Sequence, residues 1–297
     1  MASVILPTTR WTDGCADVLA SLSPDDELFV VADHPEDPVF EQAPGEAELV
    51  AAGDPVGCSG KANALAAGME RASHDIVVWT DDDVTREAGW RDRLVAHARE
   101  DGAATEVPVY VGGGLWRVLE PAMVLFGSLG LVSGGHVWGG GVAFDRTALD
   151  EAQLVAELRQ TVGDDSLLGT YVEDPWVDTD NPRQVTVAGS PGAVRDRLAR
   201  FAQAAFHFEP LSTVGLLAAS ALFAVFCLVA PLLGAPVTLA VGALSYRAVD
   251  LQRSSVLLSP LSFLVIPLAL AVGLVVRTFE WGGRRYRWRG TFDVTVE

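Results

Sequence analysis

The sequence predicts an α/β domain followed by a C-terminal α-helical membrane region. Three observations predict it: strand and helix signals alternate through the first 200 residues, charge vanishes between Glu209 and Arg247, and the charge balance reverses at Pro210. The 297 residues carry 21 Lys+Arg against 39 Asp+Glu, net −18, yet 49% are hydrophobic and the mean hydropathy is +0.27. That pairing excludes both a disordered acidic chain and an ordinary soluble enzyme. Residues 1–210 hold 14 basic and 35 acidic side chains, net −21, whereas 211–297 hold 7 and 4, net +3. Two materials are joined in one chain.

In the first part, ASVILPT reads as a short buried strand with a helix after it around Asp17–Leu22, and ELFVVAD reads as a second strand. Gly60–Ala72 is a helix, DIVVWTDDD a third strand ending in acids, and Gly89–Glu100 another helix. Apolar strands follow near VPVYVGG and GHVWGGGVAF. The alternation is that of a parallel sheet, whose ligands sit beyond the carboxyl ends of the strands. Those ends carry Asp33, Asp37 and the run Asp81–Asp82–Asp83.

In the second part, residues 211–233 form a 23-residue run of nearly pure apolar character, long enough at about 1.5 Å per residue to cross a hydrocarbon core of about 30 Å. A second uncharged stretch, 254–276 with its span near 256–276, is long enough too, and Pro260 and Pro267 kink it. Between them 235–246 is apolar but short, which leaves 235–249 as a re-entrant or interfacial piece or a tilted partial crossing. Arg195, Arg197 and Arg200 precede the first span, and Arg277, Arg284, Arg285, Arg287 and Arg289 follow the last. The positive-inside rule puts both flanks in the cytoplasm and requires an even number of crossings. The expected organisation is a cytoplasmic domain over 1–209, with an amphipathic interface helix near 193–209. A membrane region over 210–277 and a basic cytoplasmic tail over 278–297 complete it. The chain then sits in the cell membrane as a multi-pass protein with its first domain cytoplasmic.

Several classes are excluded. So acidic a first domain repels phosphates, so no nucleic-acid partner is expected. Cys15, Cys58 and Cys227 are too far apart for a metal-ligand motif or a disulfide framework. MASVILPTTR has no charged segment ahead of its apolar residues, so no cleaved signal peptide is expected. The single lysine, Lys61, stands among 20 arginines, and a lysine-poor, acid-loaded composition fits a high-salt cytoplasm such as that of a halophilic archaeon.

Three consecutive carboxylates at a strand end either share a hard divalent cation with phosphate oxygens or form a solvated turn. Position favours the former: they follow IVVWT directly, and upstream SGKANALAAG is a Gly-Lys turn opening a helix whose N-terminus can meet an anion. Asp164 and Asp165 are adjacent like charges, one of which could have the raised pKa that a base needs, or they lie on an acidic surface. Arg195, Arg197 and Arg200 also suit a headgroup-binding face, with Phe201, Phe206 and Phe208 dipping into lipid.

The ordered series ASVILPT, VVADHPEDPV, GKANALAAG, TDDD, HVWGGGVAFDRTALD, GDDSLLG, RLARF and WGGRRYRWRG resembles the family 2 glycosyltransferases. Within them it resembles the branch of ceramide glucosyltransferases and hopanoid-type lipid glycosyltransferases. The resemblance covers nearly the whole chain and implies a GT-A, Rossmann-like domain that binds a nucleotide-diphosphate sugar and transfers the sugar with inversion. It implies that Asp33 or Asp37, with Asp37 the better match, contacts the nucleoside, that Lys61 lies near the nucleotide, and that Asp81 and Asp82 face the donor. Asp81 and Asp83, of a DxD-like motif, would hold Mg²⁺ or Mn²⁺. Asp165 would be the base that takes the acceptor proton, and Arg197 and Arg200 would stabilise the departing diphosphate. Asp164, Trp138, Gly140 and Phe201 fall on the acceptor side. Phe201 stands where the family motif has Trp, which removes an indole N–H. The N-terminal membrane helix common in the branch has no counterpart, leaving anchoring to the C-terminal spans.

The expected function is transfer of a sugar to a membrane lipid hydroxyl at the cytoplasmic face, producing a glycolipid. A polysaccharide-type synthase and a catalytically inactive scaffold binding nucleotide sugar or lipid are the alternatives. Two or three spans are too few for an export channel, and retention of Lys61, the acids and RLARF speaks against a scaffold.

Overall fold

The computed structural model describes all 297 residues, which form two compact units. The first comprises Met1–Glu106, Gly135–Asp178 and Arg289–Glu297, and the second Val107–Gly134 and Thr179–Trp288. No single cut at 209 reproduces this division, because Val107–Gly134 belongs with the helical unit.

In the first unit the chain runs β1 (Ser3–Pro7), α1 (Asp13–Ala20), β2 (Glu27–Ala32), α2 (Val39–Gln42), β3 (Glu48–Ala51), α3 (Gly60–Met69), β4 (Ile76–Thr80) and α4 (Trp90–Asp101). After β5 (Ala103–Gly112) the chain passes into the second unit as α5 (Trp116–Met123) and α6 (Gly130–Gly134), then continues in the first with β6 (Gly141–Asp145), α7 (Glu151–Leu158), α8 (Asp164–Leu168) and β7 (Trp176–Val187). Strands β5 and β7 begin in the first unit and end in the second. The hydrogen-bonded order is β3-β2-β1-β4-β6-β5-β7. Strands β1 to β4 are parallel, with Ser3 opposite Glu27 on one side and Val77 on the other.

The expectation of an all-parallel sheet is corrected at β6, which is antiparallel to both β4 and β5. The reason is local: a turn closed by Gly141 N–H donating to the Trp138 carbonyl drops the chain in at the carboxyl end of β4, with Gly141 opposite Thr80, so it must run back. GHVWGGGVAF is accordingly a strand only from Gly141 onward.

β1 and β4 are buried along their whole apolar runs, as strands covered on both faces are. Val4, Leu6, Val30 and Val78 form the core with Trp90 and Leu94 of α4. Helix α3 starts at Ser59, whose side chain accepts from Ala62 N–H at 3.0 Å. Its alanines and glycines let it lie close to the sheet, and a Cβ at Gly68 would collide with the stiff, buried Ile5 side chain.

The second unit continues with α9 (Pro191–Phe208), α10 (Pro210–Val229), α11 (Pro231–Ala248) and α12 (Ser259–Val275), then the antiparallel pair β8 (Phe279–Trp281) and β9 (Arg284–Gly290). β10 (Asp293–Val296) ends the chain, so 278–297 is largely strand. The stretch 235–246 lies inside α11, a single 18-residue helix rather than a short piece. Three helical segments are long and apolar enough to cross a membrane: Pro210–Val229, Ser254–Val275 and Trp116–Gly134. The last was not anticipated, since Arg117 and Glu120 interrupt its apolar run.

These helices are inside out compared with those of a soluble protein. In α10 the buried positions are Thr213, Ser220, Ala224 and Cys227, while Leu211, Leu222, Leu228 and Val229 point outward. In α12 Ser259, Ser262 and Gly273 are buried together with Phe263 and Ile266, and Leu261, Leu268 and Val275 are exposed. Small residues at the contacts let backbones approach, as in membrane bundles. A Cβ at Gly273 would lie 2.6 Å from the Leu198 carbonyl oxygen of α9.

Gly68→Ala is expected to destabilise the chain by about 1–3 kcal/mol through overpacking against Ile5, despite Ala's higher helix propensity. Thermal unfolding in detergent checks it.

Candidate functional site

Lys61 occupies the first turn of α3 and its side chain is only 15% exposed. Its Nζ lies 2.6 Å from Asp81 Oδ1, just past β4, and 3.2 Å from Asp164 Oδ2 at the start of α8. Three segments distant in sequence therefore meet at one ammonium. Burial works against the charge on Lys61, but the surrounding Asp164, Asp81 and Asp165 carboxylates outweigh it and hold the pKa above its ordinary value. Burial likewise pushes the Asp164 carboxyl up, to about 6, with Lys61 pulling it down and Asp165 and Asp81 pushing it further up.

The run Gly139–Gly141 covers this cluster, and each glycine is required by a different neighbour. A Cβ at Gly139 would lie 2.5 Å from Asp164 Oδ2, 3.3 Å from Lys61 Nζ and 3.4 Å from Asp165 Cβ. One at Gly140 would meet Asp81 Oδ2 at 2.6 Å and strike the Trp138 ring. One at Gly141 would strike the Glu106 carboxylate. No side chain fits between the run and the acids.

The three consecutive acids part ways. Asp81 faces Lys61. Asp82 accepts from Thr8 Oγ1 at 2.5 Å, and its carbonyl accepts from Thr12 Oγ1 at 2.6 Å, so it ties the acidic loop to the β1–α1 connection. Burial raises the Asp82 pKa, with the Asp81 charge adding to it and the Thr8 bond opposing it. Asp83 is exposed. Asp165 is half-buried and accepts from Ser166 N–H at 2.8 Å.

Asp33 is buried just past β2, while Asp37 accepts from His34 N–H at 2.9 Å and so closes its own turn. Burial pushes the nearby Cys58 thiol up to about 11, and the Asp33 charge adds to that push. Trp138, expected toward the acceptor, is 4% exposed and sits beneath Gly140.

The second unit holds the arginine pair. Arg197 lies over the rings of Tyr110, Trp116 and Phe201 at 5.8, 5.9 and 5.9 Å, and Arg200 over Trp281 and Phe201 at 4.0 and 5.2 Å. Phe201 is an aromatic wall between the two guanidiniums rather than a hydrogen-bond donor. Sequence reasoning missed Gly139 and Gly141, the rings of Tyr110, Trp116 and Trp281, and Thr8. The three-glycine run itself was the available signal for the first two.

Residues 14–119 match the family described as Glycosyl transferase family 2. The matched segment runs from α1 into α5 and contains Lys61, Asp81, Asp82 and Asp83, whereas Asp164, Asp165, Arg197 and Arg200 lie outside it. The likeness to that family is carried by this segment, about a third of the chain. Among solved structures, a Mycobacterium tuberculosis glucosyl-3-phosphoglycerate synthase with Mn²⁺, UDP-glucose and phosphoglyceric acid is similar at 27% identity, over 50% of this chain and 57% of its own, with a TM-score of 0.38. The chain thus spans little more than half the length of that synthase. The same synthase with Mn²⁺ and UDP-glucose is similar at 20% identity, over 69% and 78% of the two chains, with a TM-score of 0.42. At TM-scores this low the likenesses say nothing of what this chain binds. No curated protein matches the chain.

Because burial raises the Asp164 pKa from 3.8 to about 6, the folded state holds its proton more tightly than the unfolded state. The carboxyl then makes stability fall as pH rises from about 4 to about 6. Asp164→Asn is expected to lack this falling segment, which unfolding curves between pH 4 and pH 8 would read.

Proposed function

We propose that this chain is a membrane-anchored inverting glycosyltransferase that moves a sugar from a nucleotide-diphosphate sugar to a lipid hydroxyl at the cytoplasmic face of the membrane. One observation carries the reading: the Lys61–Asp81 pair lies within the segment that matches family 2 in a chain whose α10 and α12 expose large apolar side chains such as Leu222, Leu228, Leu268 and Val275. Side chains such as Leu222 and Leu268 have lipid as their natural solvent. Anchoring the α/β unit beside the bilayer raises the effective concentration of an acceptor dissolved there. The basic residues that precede α10 and those that follow α12 support a cytoplasmic catalytic side.

The acids fit a divalent cation only in company with the donor. No three His, Cys, Asp or Glu side chains are grouped to hold a metal ion by themselves, and Mg²⁺ commonly takes one or two carboxylates plus substrate phosphates. Asp83 and Asp81 would hold it, as hard oxygen donors, and the ion would neutralise diphosphate charge.

In this reading Lys61 holds Asp81 and Asp164 in place, and Asp165 is left to take the acceptor proton. The hydroxyl oxygen bonds to the anomeric carbon as its proton passes to Asp165. The bond from that carbon to the diphosphate breaks with its electron pair on the leaving phosphate. Direct displacement of this kind inverts the anomeric centre. Asp33, buried at the end of β2, suits the nucleoside better than Asp37, whose carboxylate is spent on its own turn. By resemblance Arg197 and Arg200 stabilise the departing diphosphate.

The test is a transfer assay in high salt, using membranes, radiolabelled UDP- and GDP-sugars and organic extraction of the product. Label is expected in the lipid phase and is lost with chelator. Asp165→Asn should lower the rate by about 10²–10⁴-fold, the usual worth of a general base, while donor binding persists. Label in polymer, or donor binding with no transfer when native lipid extract is supplied, would overturn the proposal.

A further inference from the structure

Arg86 lies in the same loop as Asp81–Asp83, and its side chain and that of Glu106 on β5 are fully buried. Its guanidinium makes a fork of contacts. Nη1 pairs with the Glu106 carboxylate, and Nη2 donates to the Gly140 carbonyl and, at 2.6 Å, to Thr80 Oγ1. Its face lies 4.2 Å from the centre of the Trp90 ring. The Gly140 carbonyl is thereby a node: it also accepts from Asp81 N–H at 3.4 Å and Thr80 Oγ1 at 3.5 Å. A Cβ on Gly141 would collide with Glu106 and lie 3.3 Å from Arg86 Nη1, so the pair and the glycine run are in direct contact.

A buried ion pair is weak evidence for stability, because desolvation offsets its attraction and an apolar pair often serves as well. What this pair supplies and an apolar pair does not is a directed hold on one carbonyl. Arginine's planar fork can serve a carboxylate, a hydroxyl and a carbonyl at once, which lysine's single ammonium cannot do in the same geometry. We propose that Arg86 and Glu106 are positioning residues of the sugar-transfer site, holding the Gly139–Gly141 run against Asp81, Lys61 and Asp164. The assignment rests on the transferase reading for its consequence but on this geometry for its existence.

Lys61, the only lysine, makes the test selective. An amine-reactive acylating reagent at one fixed pH, read by mass spectrometry, reports Lys61 separately from the N-terminal amine. The full chain in detergent is compared with R86M/E106L, which removes both charges together, and with R86K, which keeps the charge but loses the fork. Unfolding midpoints should stay close to that of the starting protein, while Lys61 labelling in R86M/E106L rises several-fold. UDP-glucose and GDP-mannose serve as donor probes, and whichever binds should bind R86M/E106L about tenfold or more weakly, with R86K between, as expected when a catalytic surface shifts. Labelling of Lys61 at the original rate in a folded variant overturns the proposal. If neither probe binds the starting protein but the double variant still exposes Lys61, the positioning role stands and the transferase reading falls.

Discussion

The site depends on one constraint, the compensation of several buried or half-buried carboxylates by a single lysine. Asp81, Asp164 and Asp165 would repel one another in so confined a place, and Lys61 Nζ within 3.2 Å of the first two makes the arrangement tenable. Everything nearby follows from keeping that ammonium in position. Helix α3 must begin beside the β4 terminus, so it is built from alanine and glycine that let it approach the sheet. The covering segment must have no side chains, so it is Gly139–Gly141. The reversal into β6 is the geometric result of laying that segment across the carboxyl end of β4.

The second unit obeys the opposite solvent rule. Its helices bury serine, threonine and glycine, with Tyr246, Phe263 and Ile266 among them, and expose many leucines and valines. The enclosed Glu120 carboxylate is matched: it accepts from Tyr246 Oη at 3.0 Å, Arg253 Nε at 3.1 Å and Gly112 N–H at 3.2 Å. A carboxylate within a segment apolar enough to span a membrane needs such partners, since an unpaired charge there is costly. Gln203 of α9 similarly donates to the Val276 carbonyl at 2.7 Å, capping the end of α12. The arginines of α9 are held by rings instead, with Tyr110, Trp116, Phe201 and Trp281 around Arg197 and Arg200.

Much of this was legible in one dimension. The apolar runs at 211–233 and 254–276 correspond to Pro210–Val229 and Ser254–Val275, because span length is a local property of the chain. Helices expected over Gly60–Ala72 and Gly89–Glu100 correspond to α3, which stops earlier at Met69, and to α4 over Trp90–Asp101. Trp116–Gly134 was hidden because hydropathy counts Arg117 and Glu120 as charged and cannot see that Glu120 is paired through residues 126 to 135 positions away. Strand β3 was missed because its four residues have no pattern apart from their pairing with β2.

The sequence by itself determined the two materials of the chain, the placement of acids at strand ends and the isolation of Lys61, since composition, hydropathy and spacing are additive along the chain. Only the tertiary structure decided which acid does what. Asp81 meets the lysine, Asp82 ties down a loop through Thr8, and Asp83 stays in solvent, although all three are identical and adjacent. The same holds for Arg86 and Glu106, which look like any charged residues in an acidic domain until folding buries them together over the glycine run. The physical reason is that a charge acquires its role from what lies within a few ångströms of it, and those neighbours come from segments that sequence order keeps far apart.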